Sequence, residues 1–322
     1  MNVSQFLERH FRHFNARETL AAAKAYKDFF EGDNPGTMMV TLAGAMSTGE
    51  LGLSLAEMIR QGKVHAITCT AANLEEDIFN LIAHDEYRIV ENWRALSADD
   101  EQSLLDAGFN RVTDTCIPET VMRHIESKLL GYWQTHAASG DSLMPCEYMF
   151  MLLDDEELKQ HYQIPREDSW VAAAKDVGIP IFTPGFEDST LGNIFAARVY
   201  EGVVDNHGAV VTGTAQMERL IGWYLEQSAI GPIGFFQIGG GIAGDFPICV
   251  VPLIRQDLQK DIPLWAYFCQ ISDAVTSYGG YSGAVPNEKI TWEKLSVECP
   301  KFMIQSDASI VAPLVFAYVL GW

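Results

Sequence analysis

The chain has 322 residues, 48% of them apolar and 20% charged, an ordinary globular composition with enough length to bury a large core without staples. It carries 43 acidic residues against 22 basic ones, a formal net charge of -21 at pH 7. That balance excludes a general nucleic-acid binder, argues against docking on anionic lipid, and suits a cationic small molecule best.

Residues 3–30 have apolar positions at helical spacing, which predicts one first helix packed on a sheet or on another subunit. Charges interrupt the apolar positions of residues 1–18, so no secretory signal is expected there. A unit then recurs: a short apolar run, a turn of small residues, an amphipathic stretch. Residues 38–42 lead into AGAMSTG and a helix to about Gln61. Residues 64–69 lead into TAANLEED and a helix through Ile82. Residues 154–168 read as a helix and its loop. Residues 179–182 lead into TPGFEDSTLG and a helix to about Tyr200. Residues 233–238 lead into GGGIAGD and a helix to about Gln259. Residues 264–271 form another apolar run, and residues 302–305 lead into SDAS and a terminal helix.

Short runs followed by helices predict an α/β fold with a mostly parallel sheet and helices on both faces. Each small-residue turn then falls at the carboxyl end of its strand, where open α/β sheets bind ligands. Gly44, Ala71, Gly185, Gly240 and Asp307 are therefore expected around one site. No repeat or linker divides the chain, so one domain is expected over 1–322, with an N-terminal helical segment at about 1–35. No window reaches the roughly 18 uncharged apolar residues of a membrane span. The cysteines, Cys69, Cys116, Cys146, Cys249, Cys269 and Cys299, are far apart and form no CxxC pair. They read as reduced thiols of a cytoplasmic protein, and no metal site is expected.

Four motifs carry chemistry. The glycines at 239–241 make either a tight turn or a phosphate-facing one. Ser47 and Thr48 at a helix start either cap the helix or help its free N–H groups receive a pyrophosphate. Glu75, Glu76 and Asp77 open a predicted helix, where acids suit the dipole; Asp188 and Asp307 also stand at helix starts, as caps. Residues 278–295 form a Gly-rich loop holding Glu288, Lys289, Trp292 and Lys294. Its ordinary reading leaves both lysines solvated and Trp292 in the core. Its chemical reading makes Trp292 a face for a cation, Glu288 a partner for an ammonium and Lys294 an amine nucleophile.

The segment SGAVPNEKITWEKL resembles the Ser-Gly-Ala-x-Pro-(Asp/Asn)-Glu-x-x-x-Trp-x-Lys element of the deoxyhypusine synthase family. LEED, IPIFTPGFEDSTLG, the triple-glycine turn and SDAS support the resemblance, which runs from about Leu42 to Leu320. It implies a Rossmann-like doubly wound fold, a homotetramer with sites at dimer interfaces, and NAD as cofactor. The implied chemistry takes a hydride from spermidine, releases diaminopropane and passes a four-carbon imine to a lysine. Lys294 falls at the position of that lysine. Trp292 falls at the wall along the polyamine and Glu288 at an ammonium partner. The resemblance also puts Glu75, Glu76, Asn193, Asp245, Gly279 and Tyr281 at amine-binding positions. Its NAD positions fall on Ala43, Gly44, Ala45, Met46 and Ser47, on Thr70, Ala71 and Ala72, and on Glu76, Asp188, Gly240, Asp273, Ala274, Asp307 and Ala308.

The departures fall in the two turns and the amine pocket. Ala43-Gly44 replaces Ser-Asn, and Ala71-Ala72-Asn73 replaces Ala-Gly-Gly. Asn193 stands for an Asp, Asp245 for a His and Tyr281 for an Asp. A pocket that reads ammonium spacing with carboxylates then prefers another amine or holds spermidine differently. About forty residues precede the first turn, without the long extension of eukaryotic members. The resemblance therefore implies a divergent bacterial-type member, an aminobutyl transferase on spermidine, putrescine or a related amine, forming homospermidine or a similar polyamine. Two alternatives stay open: a true deoxyhypusine synthase modifying a translation-factor lysine, and a non-catalytic assembly protein that binds NAD or polyamine.

Overall fold

The computed structural model describes residues 2–276 and 279–322. Nine strands form among the described residues: β1 (Thr37–Leu42), β2 (Ala66–Cys69), β3 (Arg88–Ile89), β4 (Phe109–Val112), β5 (Thr115–Pro118), β6 (Ile181–Phe182), β7 (Ile233–Ile238), β8 (Tyr267–Ile271) and β9 (Lys301–Ile304). Six of them make one parallel sheet in the order β6-β2-β1-β7-β8-β9. Val40 of β1 stands between Ile67 and Phe236. Counting only these six strands, the order is third, second, first, fourth, fifth, sixth, which is the doubly wound arrangement with a topological switch between β1 and β7.

Every residue of β1, β7 and β8 is buried, as a sheet covered on both faces requires. Successive side chains leave a strand on opposite faces, and the neighbours of Phe235 and Phe236 show both covers. Phe236 meets Tyr26 of the helix Phe14–Asp28 and Phe316 of the helix Ala308–Leu320. Phe235 meets Trp265, whose ring contacts Tyr224 of the helix Gly213–Ser228. Among the described residues, no helix is long and apolar enough to cross a membrane.

The structure corrects several boundaries. The predicted first helix is two helices, Val3–His10 and Phe14–Asp28, broken at Phe14 with φ at 54°. The break lets Asn15 bond the backbone of Gln305 in both directions while Tyr26 docks on the sheet. The helix after β1 starts only at Gly52, because residues 44–51 are turns tied to the next unit. Ser47 and Thr48 therefore cap nothing there. The helix after β7 runs Gly241–Ile248 and continues as short segments to Asp257, since Pro247 and Pro252 each remove a donor.

A small antiparallel sheet, β3-β5-β4, was not foreseen. It precedes the long helix Glu119–Ser139, which ends at Gly140 in the left-handed conformation.

Candidate functional site

A cleft of about 670 Å³ opens at the carboxyl ends of the large sheet, over the switch between β1 and β7. The segment following each of the six strands lines it. Ala43, Gly44 and Met46 follow β1, Thr70 follows β2, and Asp188 stands in the loop after β6. The three glycines and Ile242 follow β7. Asp273 and Ala274 follow β8, and Asp307 and Ala308 follow β9. Gly44, Gly240 and Asp307 thus gather as the strand–turn pattern predicts. Ala71 and Gly185 stand beside the cleft, with Thr70 and Asp188 lining it in their place.

The triple-glycine turn has a steric cause. A Cβ on Gly239 would stand 2.8 Å from the Ala43 Cβ, and one on Gly240 would stand 1.8 Å from the Ser282 Oγ. Ser282 Oγ accepts the Gly241 N–H at 3.1 Å. The turn and the Gly-rich loop are therefore in direct contact through Ser282, which opens the SGAVPNEKITWEKL segment but had no role assigned from the sequence.

Ser47 and Asn73 tie the first two turns together below the cleft. The Asn73 carboxamide accepts the Ser47 N–H at 2.8 Å and donates to the Gly44 carbonyl and Thr70 Oγ1, each at 2.8 Å. Ser47 Oγ donates to the Asn73 carbonyl and accepts from Trp170 Nε1. Ser47 is buried and does not line the cleft; neither do Ala45, Ala71, Ala72 and Glu76.

The acidic run does not open its helix, which starts at Ala71 after the Thr70 cap. Its members serve neighbours instead. Glu75 accepts the N–H groups of Thr190 and Leu191 at the start of the helix Thr190–Tyr200. Asp77 accepts the Ser169 hydroxyl and the N–H groups of Trp170 and Val171, where the helix Trp170–Val177 begins. Burial pushes the Glu75 carboxyl up to about 6, and Glu76 and Asp77 up to about 7. Asp307 caps its helix through Ser309 N–H. Asp188 caps nothing, because Ser189 takes that role at the next helix and leaves Asp188 facing the cleft.

A second cavity of about 270 Å³ is lined by Asp245, Cys249, Gly279, Tyr281, Glu288, Lys289, Trp292 and Lys294. It shares walls with the cleft. Tyr281 lines the cavity and Ser282 the cleft; the helix Gly241–Ile248 begins in the cleft and brings Asp245 to the cavity. The loop is pinned from below by Tyr281 Oη, which donates to Gln237 Oε1 at 2.7 Å, and by Gln270 Nε2, which donates to the Ser282 carbonyl at 2.8 Å. Ser277 and Tyr278, where the Gly-rich segment begins, lie outside the described residues.

Lys294 Nζ stands 3.6 Å from Asp245 Oδ1 and faces the rings of Tyr281 and Trp292 at 5.7 and 5.8 Å. Both lysines of the loop are buried, whereas Trp292 is 61% exposed. This reverses the ordinary reading of solvated lysines and a core tryptophan. Lys289 and Cys249 are additions that the sequence pattern did not select. Burial pushes the Cys249 thiol above its usual range, so it faces the pocket as a neutral group. Glu75, Glu76 and Asn193 do not line this cavity. Asn193 Nδ2 is spent on the carbonyls of Glu187 and Ser189.

The deoxyhypusine synthase family profile matches residues 7–319. The chain belongs to the deoxyhypusine synthase family. Curated relatives share this assignment across most of their length. A deoxyhypusine synthase-like protein of Chlorobaculum parvum is 25% identical over 314 residues, covering 95% of this chain and 82% of the relative. One of Cyanothece sp. is 29% identical over 301 residues, covering 88% and 71%. A protein of Methanosarcina mazei named probable deoxyhypusine synthase 2 is 25% identical over 305 residues, covering 94% and 81%. A crystal structure from Entamoeba histolytica assigned to deoxyhypusine synthase superposes with a TM-score of 0.59. It covers all of this chain and 94% of that one at 14% identity, a likeness of fold alone. The family's general reaction is an NAD-dependent aminobutyl transfer.

Proposed function

We propose that this chain is an NAD-dependent aminoalkyl transferase that moves an aminobutyl group between polyamines through an imine on Lys294. The carrying observation is the placement of Lys294. It is a buried amine 3.6 Å from Asp245, in a cavity that shares the Gly-rich loop and the Gly241–Ile248 helix with the cleft at the sheet switch point.

The cleft fits a dinucleotide. Its volume lies in the range of cofactor sites, and its glycine turns at β1 and β7 let a ligand approach the backbone closely. Gly44, Gly240 and Gly241 would stand against the pyrophosphate, and Asp188, Asp273 and Asp307 would meet the ribose hydroxyls. When bound, NAD supplies a hydride acceptor beside the amine. Asp245 and Glu288 attract the cationic donor, and Trp292 and Tyr281 offer ring faces along its chain. Lys294 provides the nitrogen that takes the four-carbon group. Within the cavity, Tyr281 in place of a carboxylate, with Asp245 gained, supports a free amine acceptor and a product such as homospermidine.

The assembly we infer is a homotetramer with sites at dimer interfaces. Around the two cavities Ile242, Val275, Val285 and Trp292 are exposed, an apolar rim that a second subunit would cover. The test is product analysis with NAD and spermidine, putrescine, or both. A new polyamine is expected. Return of every amine unchanged overturns the reading, and label passing only to a protein lysine replaces it with deoxyhypusine synthesis.

A further inference from the structure

Lys289 has no part in the chemistry described so far, yet it is the more deeply buried of the two lysines, 2% exposed against 7% for Lys294. Its Nζ lies 4.9 Å from the Phe268 ring centroid and 5.1 Å from that of Tyr281. It donates to the Ala284 carbonyl at 3.3 Å and has no ion pair among the described residues. Lys294 faces the same Tyr281 ring at 5.7 Å, held by Asp245. Two amines thus approach the same Tyr281 ring and line one small cavity, and among the described residues only Lys294 has a carboxylate within ion-pair distance.

We propose that Lys289 accepts the proton that the Lys294 ammonium must lose before it attacks a carbon–nitrogen double bond. The inference rests on Lys294 being the imine-forming residue. In the step, one N–H bond of Lys294 breaks and one N–H bond of Lys289 forms; total charge is unchanged and no heavy-atom bond is altered. The Ala284 carbonyl and the two ring faces then carry the new ammonium. Burial, followed by the charge of Lys294, pushes Lys289 down to about 8, with Glu288 and Asp245 acting in the opposite sense. The remaining titratable neighbours, Tyr281 and Cys249, are kept neutral by burial. Lys289 is thereby a positioning residue that acts through Lys294.

The test needs neither NAD nor a polyamine. The intact protein and its Lys289→Met and Lys289→Gln variants are treated with butanal and cyanoborohydride across a pH series. The Lys294 adduct is then quantified by peptide mass mapping. In both variants the midpoint of the rate–pH curve is expected to move up by about one unit, so that the rate on its acid side falls about tenfold. A purely structural role would lower the curve without moving its midpoint, as circular dichroism would help to show. An unmoved midpoint in either folded variant overturns the proposal, as does an adduct forming on Lys289 instead of Lys294 in the unaltered protein. A shifted midpoint together with no polyamine turnover would keep the proton transfer and remove the transferase reading.

Discussion

Asn73 and Gly44 are joined by a 2.8 Å hydrogen bond from the Asn73 carboxamide to the Gly44 carbonyl, which fixes the turn after β1 to the turn after β2. Both residues depart from the family pattern, and the structure makes them partners. The same carboxamide holds Ser47 and Thr70. Asn73→Ala leaves the buried Ser47 N–H without its acceptor, while Thr70 Oγ1 and the Gly44 carbonyl keep each other, and is expected to cost about 2 kcal/mol. Urea unfolding measures this, and NAD affinity is expected to fall with it because Ala43, Gly44 and Met46 line the cleft. An unchanged midpoint would show that water takes over the bonds.

Glu76 gives a pH-dependent prediction. Its carboxyl is pushed from 4.5 up to about 7, chiefly by burial, and its Oε2 has no hydrogen-bond partner among the described residues. The folded state therefore holds a proton that the unfolded chain releases between about pH 4.5 and 7, so this group's contribution is full at low pH and lost as pH rises. Glu76→Gln removes the titration. The stability of the variant relative to the parent is expected to rise across that window and level off above it. Denaturation curves taken through the window check this, and a flat difference would place the ionised carboxylate in the fold at no cost.

Gly240 tests the contact between cleft and loop. An added Cβ would stand 1.8 Å from Ser282 Oγ, so Gly240→Ala is expected to displace the loop and weaken NAD binding at least about tenfold. The double variant with Ser282→Gly removes the clash and is expected to regain most of the loss. Calorimetric titration with NAD distinguishes these outcomes. Full affinity in the single variant would show that the turn yields freely.

Much of the sheet was legible because fully buried parallel strands read as apolar runs ending in small residues. Residues 233–238 show this in the sequence and form β7 with the same bounds. The antiparallel sheet was hidden for the opposite reason. Arg88 and Ile89 are exposed, and the β4–β5 hairpin turns at Thr113, which takes a positive φ without a glycine to announce it. At the cavity, composition favours tryptophan inside and lysine outside. Local partners reverse this: Asp245 meets Lys294, and the Ala284 carbonyl with two rings surrounds Lys289. Asp77 looked like a charge at its own helix start because spacing along one chain cannot show that it reaches Trp170 and Val171.

In the proposed function Lys294 carries the aminobutyl group as an imine. The most direct measurement is the intact mass of the protein after incubation with NAD and spermidine or putrescine, followed by borohydride reduction. A gain matching one four-carbon amine is expected, absent when Lys294 is replaced by Ala. No gain with either amine while NAD binds, or a gain that survives Lys294→Ala, would contradict it.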